Sequence, residues 1–294
     1  MRFWIILLSS LFILSFMLTW VIRTWALKYR IIDVPNKRSS HTKPTPRGGG
    51  LAIVIAWYTG VTILFFNELI PANLFYALIS GAILALISLV DDIISIKPAI
   101  RLSAQFLTAA SGLYFLGGIN EIQIYEWSLS SAIILIPFAL LAVTWFINLY
   151  NFLDGIDAYA SVEAISVSLV LFAFASSNIS LLLVACTLGF LVWNRPPAKI
   201  FMGDVGSTQL GYVLIILGIY YNNEGQFNLL YWLLLTSPYW FDATLTLFRR
   251  WRNKEKLSRA HKKHAYQRLV QAGFSHLQVN ILLLALNIVL FAII

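Results

Sequence analysis

Long apolar runs separated by short polar loops make up most of this chain. An apolar run of about 20 residues is long enough to cross a bilayer as a helix, and a helix satisfies its own backbone hydrogen bonds there. The apolar runs fall at 3–27, 49–66, 73–90, 102–118, 129–148, 160–176, 180–193, 208–222, 228–248 and 276–294. The pattern predicts an all-α integral membrane protein with about ten transmembrane helices. We expect one polytopic domain over residues 1–294.

Composition supports this class. The chain is 59% hydrophobic and only 12% charged, whereas about a quarter of the residues in soluble domains are charged. Because there is a single cysteine, Cys186, no disulfide can form within the chain. The first apolar run, from Phe3 to Ile22, has no small-residue cleavage site, so we expect a retained helix and not a signal peptide.

The basic residues predict the orientation. Of the 21 Lys and Arg residues, all except Arg2 lie in one set of alternate loops. Those loops are 23–47, 91–101, 149–159, 194–207 and 249–275. Since cytoplasmic loops collect Lys and Arg, this set is predicted to face the cytoplasm and both termini to face outside.

Every polar cluster falls on the same predicted face. The clusters lie at 33–50, 89–92, 148–160, 194–207 and 259–269, and the opposite loops carry no comparable one. A multi-pass transporter, the main alternative, would need polar groups along a path through the bilayer. The centres of the predicted helices are nearly free of such groups, so we expect an enzyme working at the inner membrane surface.

Five aspartates from three of these loops are the first candidates for chemistry. Asp91 and Asp92 are adjacent, so they point about 100° apart on a helix and are expected to have different roles. A second group recurs every three residues, which predicts neighbours on one helix flank: Asn148, Asn151, Asp154 and Asp157. Asp204 follows Gly203 in a loop. Such a set of oxygen ligands suits Mg²⁺; the alternative is that these aspartates pair with nearby cations or cap helices.

The basic residues near Gly48-Gly49-Gly50 are the next candidates. Arg38, Lys43 and Arg47 flank a Pro-Thr-Pro turn that leads into the three glycines at a predicted helix start. A glycine-rich backbone at a helix start can bind phosphate. The positive-inside pattern is an alternative explanation for each of these cations.

Histidines in the last basic loop suggest an anion site. His261 and His264 are spaced to share one helical face among several Lys and Arg residues. This cationic setting disfavours a metal and favours a pyrophosphate. His276 is interpreted as an ordinary interfacial histidine.

Together these motifs resemble a known family. LVDD (89–92), NFLDGID (151–157), PAKIFMGDVGS (197–207) and the histidine loop are similar to motifs of the polyprenyl-phosphate N-acetylhexosamine-1-phosphate transferases. This is glycosyl transferase family 4, which includes MraY and WecA; the nearest likeness is to the shorter WbpL-type enzymes that begin O-antigen synthesis. The resemblance runs from about Asp33 to Leu269. It implies about ten or eleven spans in the bacterial inner (cytoplasmic) membrane, and transfer of a sugar 1-phosphate from a UDP-sugar, such as UDP-GlcNAc, to undecaprenyl phosphate with release of UMP.

The resemblance also implies roles for individual residues. Asp204 matches the metal-ligand aspartate for Mg²⁺, or alternatively Mn²⁺, with Asp92 as a second ligand. Asp91 and Asp92 match the essential pair, one of which is the base for the lipid phosphate, so the implied catalytic residues are Asp91, Asp92 and Asp204. Phe201 matches an aromatic residue that stacks on uracil. The implied nucleotide and substrate contacts are Asn148, Asn151, Asp154, Asp157, Asn194, Lys199, Phe201, Arg38, Lys43, Arg47, His261 and His264.

Two departures from the family pattern bear on the substrate. The chain has DGIDAYA where DGIDGLA is usual, so Ala158 and Tyr159 are expected to reshape the rim of the nucleotide pocket. HKKH (261–264) replaces the three-histidine run of MraY, which argues against a muramoyl-pentapeptide substrate. A CDP-alcohol phosphotransferase is a further alternative, but it needs an Arg soon after Asp-Gly, and none follows Asp154 until Arg195. No nucleic-acid partner is expected. The identity of the sugar and the oligomeric state, including a homodimer, stay open.

Overall fold

The computed structural model describes residues 1–35, 43–94, 96–256 and 261–294. Arg38, one of the predicted phosphate contacts, lies outside the described residues. The helices are α1 (Arg2–Lys28), α2 (Gly50–Phe66), α3 (Ala72–Ile79), α4 (Gly81–Ile94), α5 (Pro98–Leu116), α6 (Ala132–Leu153), α7 (Tyr159–Ala175), α8 (Asn178–Asn194), α9 (Asp204–Asn223), α10 (Leu229–Leu235), α11 (Ser237–Arg252), α12 (Ala265–Gln271) and α13 (His276–Ile293). Four short strands complete the described elements: β1 (Ile32–Asp33), β2 (Thr45–Pro46), β3 (Ile122–Ile124) and β4 (Trp127–Leu129).

Each of the ten predicted apolar segments coincides with helix. Two of them are broken: the segment at 73–90 changes from α3 to α4 at Ser80, and the segment at 228–248 changes from α10 to α11 at Thr236. By length and composition, four helical stretches among the described residues can cross a membrane: Arg2–Lys28, Ala72–Ile94, Ala132–Leu153 and His276–Ile293. Shorter apolar helices accompany them at Gly50–Phe66, Tyr159–Ala175 and Asn178–Asn194. The chain is an all-α membrane protein, and the count of ten spans stays a prediction.

Helix α9 forms the centre of the bundle. It is buried along most of its length, as expected for a helix that is surrounded by others; its main contacts are with α6, α4 and α2. Helices α1 and α13 lie at the periphery and expose apolar side chains such as Ile13 and Ile288. This arrangement places the first turn of α9, which begins at Asp204, among the ends of α4 and α6.

Two glycines allow α2 and α9 to approach closely. A Cβ on Gly50 would overlap the backbone of Gly206, and a Cβ on Gly206 would overlap Gly50 and Met202. The backbone N–H groups of Gly49 and Gly50 donate to the carbonyls of Phe201 and Met202, at 2.9 and 2.8 Å. Because these N–H groups are already used, the glycine run serves helix packing. Of the three glycines predicted to bind phosphate, Gly49 and Gly50 therefore do not offer their backbone N–H groups to it.

The two strand pairs are small and antiparallel. β1 pairs with β2, with Ile32 opposite Pro46 and Asp33 opposite Thr45. This pairing brings together the segments that precede and follow residues 36–42. β3 and β4 form a hairpin, with Ile124 opposite Trp127, and the turn residue Tyr125 is 95% exposed.

One helix interior is less apolar than the sequence pattern predicted. Glu163, in the second turn of α7, is fully buried, and its Oε2 accepts a hydrogen bond from Asn287 Nδ2 on α13 at 2.7 Å. The expectation that the helix centres are nearly free of polar groups is therefore wrong at this position. An ionisable side chain in such a place needs a partner, and it usually has a function.

Candidate active site

A cleft of about 480 Å³ opens beside the start of α9. Its lining includes five residues predicted from sequence: Asn148, Asn151, Asp204, His261 and His264. Apolar side chains also line the cleft, among them Leu84, Ile87, Leu102, Phe152 and Leu247. A cleft lined by both polar and apolar side chains can take a ligand that is charged at one end and oily at the other.

Asp91 and Asp92 have different partners, as their adjacent positions predicted. Asp91 Oδ2 accepts Arg101 Nη1 at 2.8 Å, and its Oδ1 accepts the N–H of Ile96 at 2.7 Å. Arg101 Nη1 also lies 3.4 Å from Asp204 Oδ2. Arg101 therefore bridges two of the predicted catalytic carboxylates.

Asp92 caps helix α9 from a distant part of the chain. Its Oδ1 and Oδ2 accept the backbone N–H groups of Asp204 and Val205, each at 3.1 Å. These N–H groups belong to the first turn of α9, where a helix has no internal acceptors, and a carboxylate also interacts favourably with this end of the helix dipole. Gly203 is required beside it, since its φ is +78° and a Cβ would lie 2.8 Å from Asp92 Oδ2.

The Asn and Asp residues spaced three apart do not form one helix flank. Helix α6 ends at Leu153, so Asn148 and Asn151 lie on the helix, whereas Asp154 and Asp157 lie in the loop that follows. Asn148 Nδ2 donates to Gln105 Oε1 at 2.6 Å, and Asn151 Nδ2 donates to Ser207 Oγ at 3.0 Å. The helix-flank prediction is right for the first two residues and wrong for the other two.

Asp154 lies in a region of uncompensated negative charge. Burial is the largest cause, and repulsion from Asp204, Asp92 and Asp157 follows; together they raise the pKa of Asp154 to about 8. Its neighbour Gly155 is crowded by the Tyr266 hydroxyl group, which leaves no room for a side chain.

Asp157 is held on two sides. Its Oδ2 accepts the N–H of Ala198 at 3.0 Å and lies 3.2 Å from His276 Nδ1. Its carbonyl oxygen accepts Asn280 Nδ2 at 2.8 Å. His276 is thus in direct contact with a candidate site residue, contrary to its interpretation as an ordinary interfacial histidine.

The segment before α9 supports the loop that contains Asp157. Asn194 is buried; its Oδ1 accepts the N–H of Ala158 at 2.9 Å, and its Nδ2 donates to the carbonyl of Ile200 at 2.9 Å. The ammonium group of Lys199 lies 5.5 Å from the centre of the Trp193 ring. Phe201 is partly exposed, and its N–H donates to the Pro46 carbonyl at 2.8 Å. The nucleotide contacts implied for Asn194, Lys199 and Phe201 stay predictions.

Arg47 connects the β2 strand to the end of α4. Its Nη2 donates to the backbone carbonyl of Asp92 at 2.6 Å. Lys43 is exposed, four residues before it. Of these two basic residues, only Arg47 contacts one of the aspartates predicted to be catalytic, through the backbone carbonyl of Asp92.

His261 and His264 precede helix α12 and do not share a helical face. His264 is the N-cap of α12, which begins at Ala265. The two imidazole rings nevertheless lie close together, with centroids 4.8 Å apart. Burial first, and then electrostatic repulsion from His264, Arg250 and Lys263, lower the pKa of His261 to about 4. His261 is therefore neutral near pH 7.

Several residues around the cleft were not predicted. Asp242 accepts the N–H of Ala265 at both carboxylate oxygens (2.9 and 3.0 Å), and its Oδ2 lies 3.5 Å from His264 Nδ1. Arg250 is 3% exposed, lines the cleft, and forms an ion pair with Glu255 at 3.2 Å. Arg101, Gln105 and Gln267 also line the cleft. Sequence reasoning missed these residues because they lie inside apolar or generally basic segments. The one signal that could have identified them was a charged or amide residue within an apolar run.

The carboxylates can accommodate a divalent cation, although they do not form a complete cage. Across the described parts of the chain, no three His, Cys, Asp or Glu side chains come close enough to hold a metal ion by themselves. Mg²⁺ often takes only one or two protein carboxylates and completes its shell with water and substrate phosphates. The Asp204 side chain is more open than that of Asp91, 35% exposed against 8%, so the residues present fit a cation that arrives with a phosphate.

Comparison with known proteins identifies the family. The model of glycosyl transferase family 4 matches residues 74–222, half of the chain. The chain belongs to glycosyl transferase family 4. The matched stretch of the chain contains Asp91 and Asp92 of α4, the loop after α6 and the start of α9. The predicted resemblance is confirmed.

The relatives in the family carry related names. A protein of Bacillus subtilis (strain 168), named probable undecaprenyl-phosphate N-acetylglucosaminyl 1-phosphate transferase, is 31% identical over 88% of this chain and 75% of its own length. A decaprenyl-phosphate N-acetylglucosaminephosphotransferase of Mycobacterium leprae (strain TN) is 30% identical over 92% of this chain and 78% of its own. A phospho-N-acetylmuramoyl-pentapeptide-transferase of Streptococcus pyogenes serotype M3 is 35% identical over 65% of this chain and 63% of its own.

Proposed function

We propose that this protein transfers N-acetylhexosamine 1-phosphate from a UDP-sugar, such as UDP-GlcNAc, to undecaprenyl phosphate and releases UMP. The observation that carries the proposal is the cleft beside Asp204, whose lining combines charged and amide side chains with apolar ones. A lipid phosphate is oily and anionic at once, and a nucleotide sugar is anionic, so this mixed lining suits both substrates. The names of the N-acetylglucosamine 1-phosphate transferases among its relatives support the same reaction class.

The chain's own residues supply positioning and charge. Arg101 and Arg250 line the cleft and can neutralise phosphate oxygens, while neutral His261 can donate or accept one hydrogen bond. Asp204 is proposed to hold Mg²⁺, or alternatively Mn²⁺. When bound, the metal ion neutralises the pyrophosphate and stabilises the charge that develops in phosphoryl transfer.

A proton acceptor for the lipid phosphate is proposed within the Asp91–Asp92 pair. Asp91 is engaged by Arg101, whose Nη1 donates to its Oδ2 at 2.8 Å. Asp92 accepts backbone N–H groups, and no guanidinium group of the described residues lies within ion-pair distance of its carboxylate. Asp92 is therefore the better base, and Asp91 the better anchor for Arg101.

We favour direct attack of the lipid phosphate oxygen on the β-phosphorus of the UDP-sugar. A new phosphorus–oxygen bond forms to the lipid, and the bond to UMP breaks. Phosphate monoesters have a second pKa near 6, so the nucleophile is largely ionised at pH 7 and needs little further activation. A covalent aspartyl-phosphate intermediate is the alternative.

The test is turnover by the purified protein in lipid nanodiscs. With undecaprenyl phosphate, Mg²⁺ and UDP-GlcNAc, we expect UMP release together with lipid-linked sugar pyrophosphate. A panel of UDP-N-acetylhexosamines will identify the sugar, and a CDP-activated donor serves as the negative control. If no UDP-sugar supports UMP release by well-folded protein, the proposal is wrong.

Isotope exchange separates the two mechanisms. A covalent intermediate allows enzyme and UDP-sugar alone to exchange labelled UMP, whereas direct attack does not. In protein stripped of lipid phosphate we therefore expect no exchange, and clear exchange would establish an aspartyl-phosphate.

We further propose that the protein lies in a bacterial inner membrane with the cleft facing the cytoplasm. The basic loops near the cleft support this orientation. A role in starting O-antigen or another envelope polysaccharide follows from the WbpL-type resemblance; loss of lipid-linked sugar in a deletion strain would test it.

A further inference from the structure

Helix α13 carries a stripe of polar residues on its bundle-facing side. His276, Asn280 and Asn287 lie within about 40° of one another around the helix axis, because each residue advances it by about 100°. Leu283 occupies the same face between them and is also buried. The opposite face exposes apolar side chains such as Ile288, which is 59% exposed.

Two residues of this stripe contact Asp157. Asn280 Nδ2 donates to the carbonyl of Asp157 and to that of His276, both at 2.8 Å. His276 Nδ1 lies 3.2 Å from Asp157 Oδ2 and 3.4 Å from its backbone nitrogen. Backbone and side chain of Asp157 are thus both contacted from α13.

The third residue anchors the helix deeper in the bundle. Asn287 Nδ2 donates to Glu163 Oε2 at 2.7 Å, and both side chains are buried. A polar pair in an apolar interior fixes the register, because a shift of one turn would leave both groups without a partner. This contact fixes the position of α13 along the axis of α7, and therefore the position of Asn280 relative to Asp157.

We propose that α13 is a positioning element for the Asp157 loop, and that Asn280 and His276 determine how tightly the site binds the nucleotide part of its substrate. The opposite side of the loop is fixed by Ala198 and Asn194, so α13 supplies the second of two supports. Without it, the Asp157 carboxylate keeps one anchor and its carbonyl loses a donor. The inference rests on the proposed function only in treating Asp157 as a nucleotide contact.

The first measurement is hydrogen exchange of the amides at 154–158, which needs no substrate. Asn280→Leu keeps the branched shape and the number of heavy atoms of the Asn side chain and removes the donor. We expect exchange of these amides to rise by roughly tenfold, the equivalent of one lost buried hydrogen bond. Leu283→Ala is the matched control, because it weakens packing on the same face without touching Asp157; it should lower the melting temperature and leave exchange at 154–158 unchanged.

The second measurement is the Kd for a UDP-sugar. Asn280→Leu should weaken binding by about tenfold and change kcat less, whereas Leu283→Ala should bind like the wild type. His276→Ala should behave like Asn280→Leu, and His276→Asn, which keeps a polar atom near the Nδ1 position, should restore most of the affinity. If Asn280→Leu fails to fold, His276→Ala and His276→Asn test the positioning role of α13 by themselves.

The outcomes separate the inference from the proposed function. Wild-type exchange at 154–158 in both Asn280→Leu and His276→Ala, or equal increases in these variants and Leu283→Ala, would overturn the positioning role. If the wild type binds no UDP-sugar but the exchange pattern is as expected, the proposed function fails and the structural support by α13 stands.

Discussion

Asp204 begins helix α9, its side chain is 35% exposed, and its Oδ2 lies 3.4 Å from Arg101 Nη1. For Asp204→Asn we expect a loss of turnover on the order of a thousandfold or more with folding preserved, because a lost metal ligand removes several kcal/mol of transition-state stabilisation. UMP release measured against Mg²⁺ concentration checks this. Asp33→Asn, at an aspartate in β1 away from the cleft, is the matched control. Near-normal Mg²⁺-dependent turnover in folded Asp204→Asn protein would contradict the assignment.

Asp92 should respond differently from Asp204 to the same change. In Asp92→Asn the amide NH₂ group replaces one of two oxygens that accept the N–H groups of Asp204 and Val205. A buried N–H group then loses its acceptor, which costs about 1–3 kcal/mol. We expect a lower melting temperature together with lost activity. A melting temperature as high as that of Asp204→Asn would show that the cap contributes little.

Asp154 gives a pH dependence whose sign follows from its raised pKa of about 8. A group with a raised folded-state pKa contributes stability that is fully present below its unfolded pKa, near 4, and is lost as pH rises to about 8. Metal-free wild-type protein should therefore lose thermal stability between pH 5 and 8, and Asp154→Asn should flatten this loss. Each kcal/mol of relieved repulsion corresponds to about 2–4 °C. If the melting temperatures of the two proteins change equally with pH across this range, the proposed effect of Asp154 is wrong.

At the scale of elements, the crossing of α2 and α9 depends on the pair Gly50 and Gly206. Gly50→Ala should destabilise the protein by about 1–3 kcal/mol, because the added methyl group overlaps the backbone of Gly206 and the helices must separate. Since Asp204 begins α9, activity should fall as well. Gly225→Asn is the control: Gly225 has a φ of +66° and open space around it, and Asn tolerates this conformation. Equal melting temperatures for the two variants would rule out close packing as the reason for Gly50.

The positions of the helices could be read from the sequence, whereas their breaks and partners could not. Hydropathy alone locates an apolar segment, because burial in lipid or in the bundle selects the same residues. It does not show that Ser80 divides one segment into α3 and α4. Nor does it show that Glu163 is paired, because its partner Asn287 lies 124 residues away.

The sequence predicted which residues form the candidate site better than it predicted how they are arranged. Asn148, Asn151, Asp204, His261 and His264 do share one cleft. Spacing of three residues suggested helices for Asp157 and His261, but α6 ends at Leu153 and α12 begins at Ala265. Local periodicity cannot show where a helix ends when tertiary contacts, such as that of Asp242 with the N–H of Ala265, decide it.

For the whole molecule, the segregation of basic residues predicts one orientation. A membrane-impermeant maleimide should label a cysteine at Lys254 only from the cytoplasm, and one at the exposed hairpin residue Tyr125 only from outside. The wild-type background suits this test, because its single cysteine, Cys186, is buried. Labelling of both sites from the same side would break the ten-span topology.

The contacts between α13 and the Asp157 loop also impose an order on biosynthesis. His276 is synthesised 119 residues after Asp157, which at about 5–20 residues per second is a delay of roughly 6–24 s. Until His276 and Asn280 are made, Asp157 lacks one support, and Glu163 lacks its amide partner until Asn287 follows. The carboxylates of the candidate site are thus synthesised before α13, the helix that supports the Asp157 loop. A chain that stalls before Asn287 carries an unpaired acid in the membrane, the type of defect by which proteolytic quality control can recognise an unfinished protein.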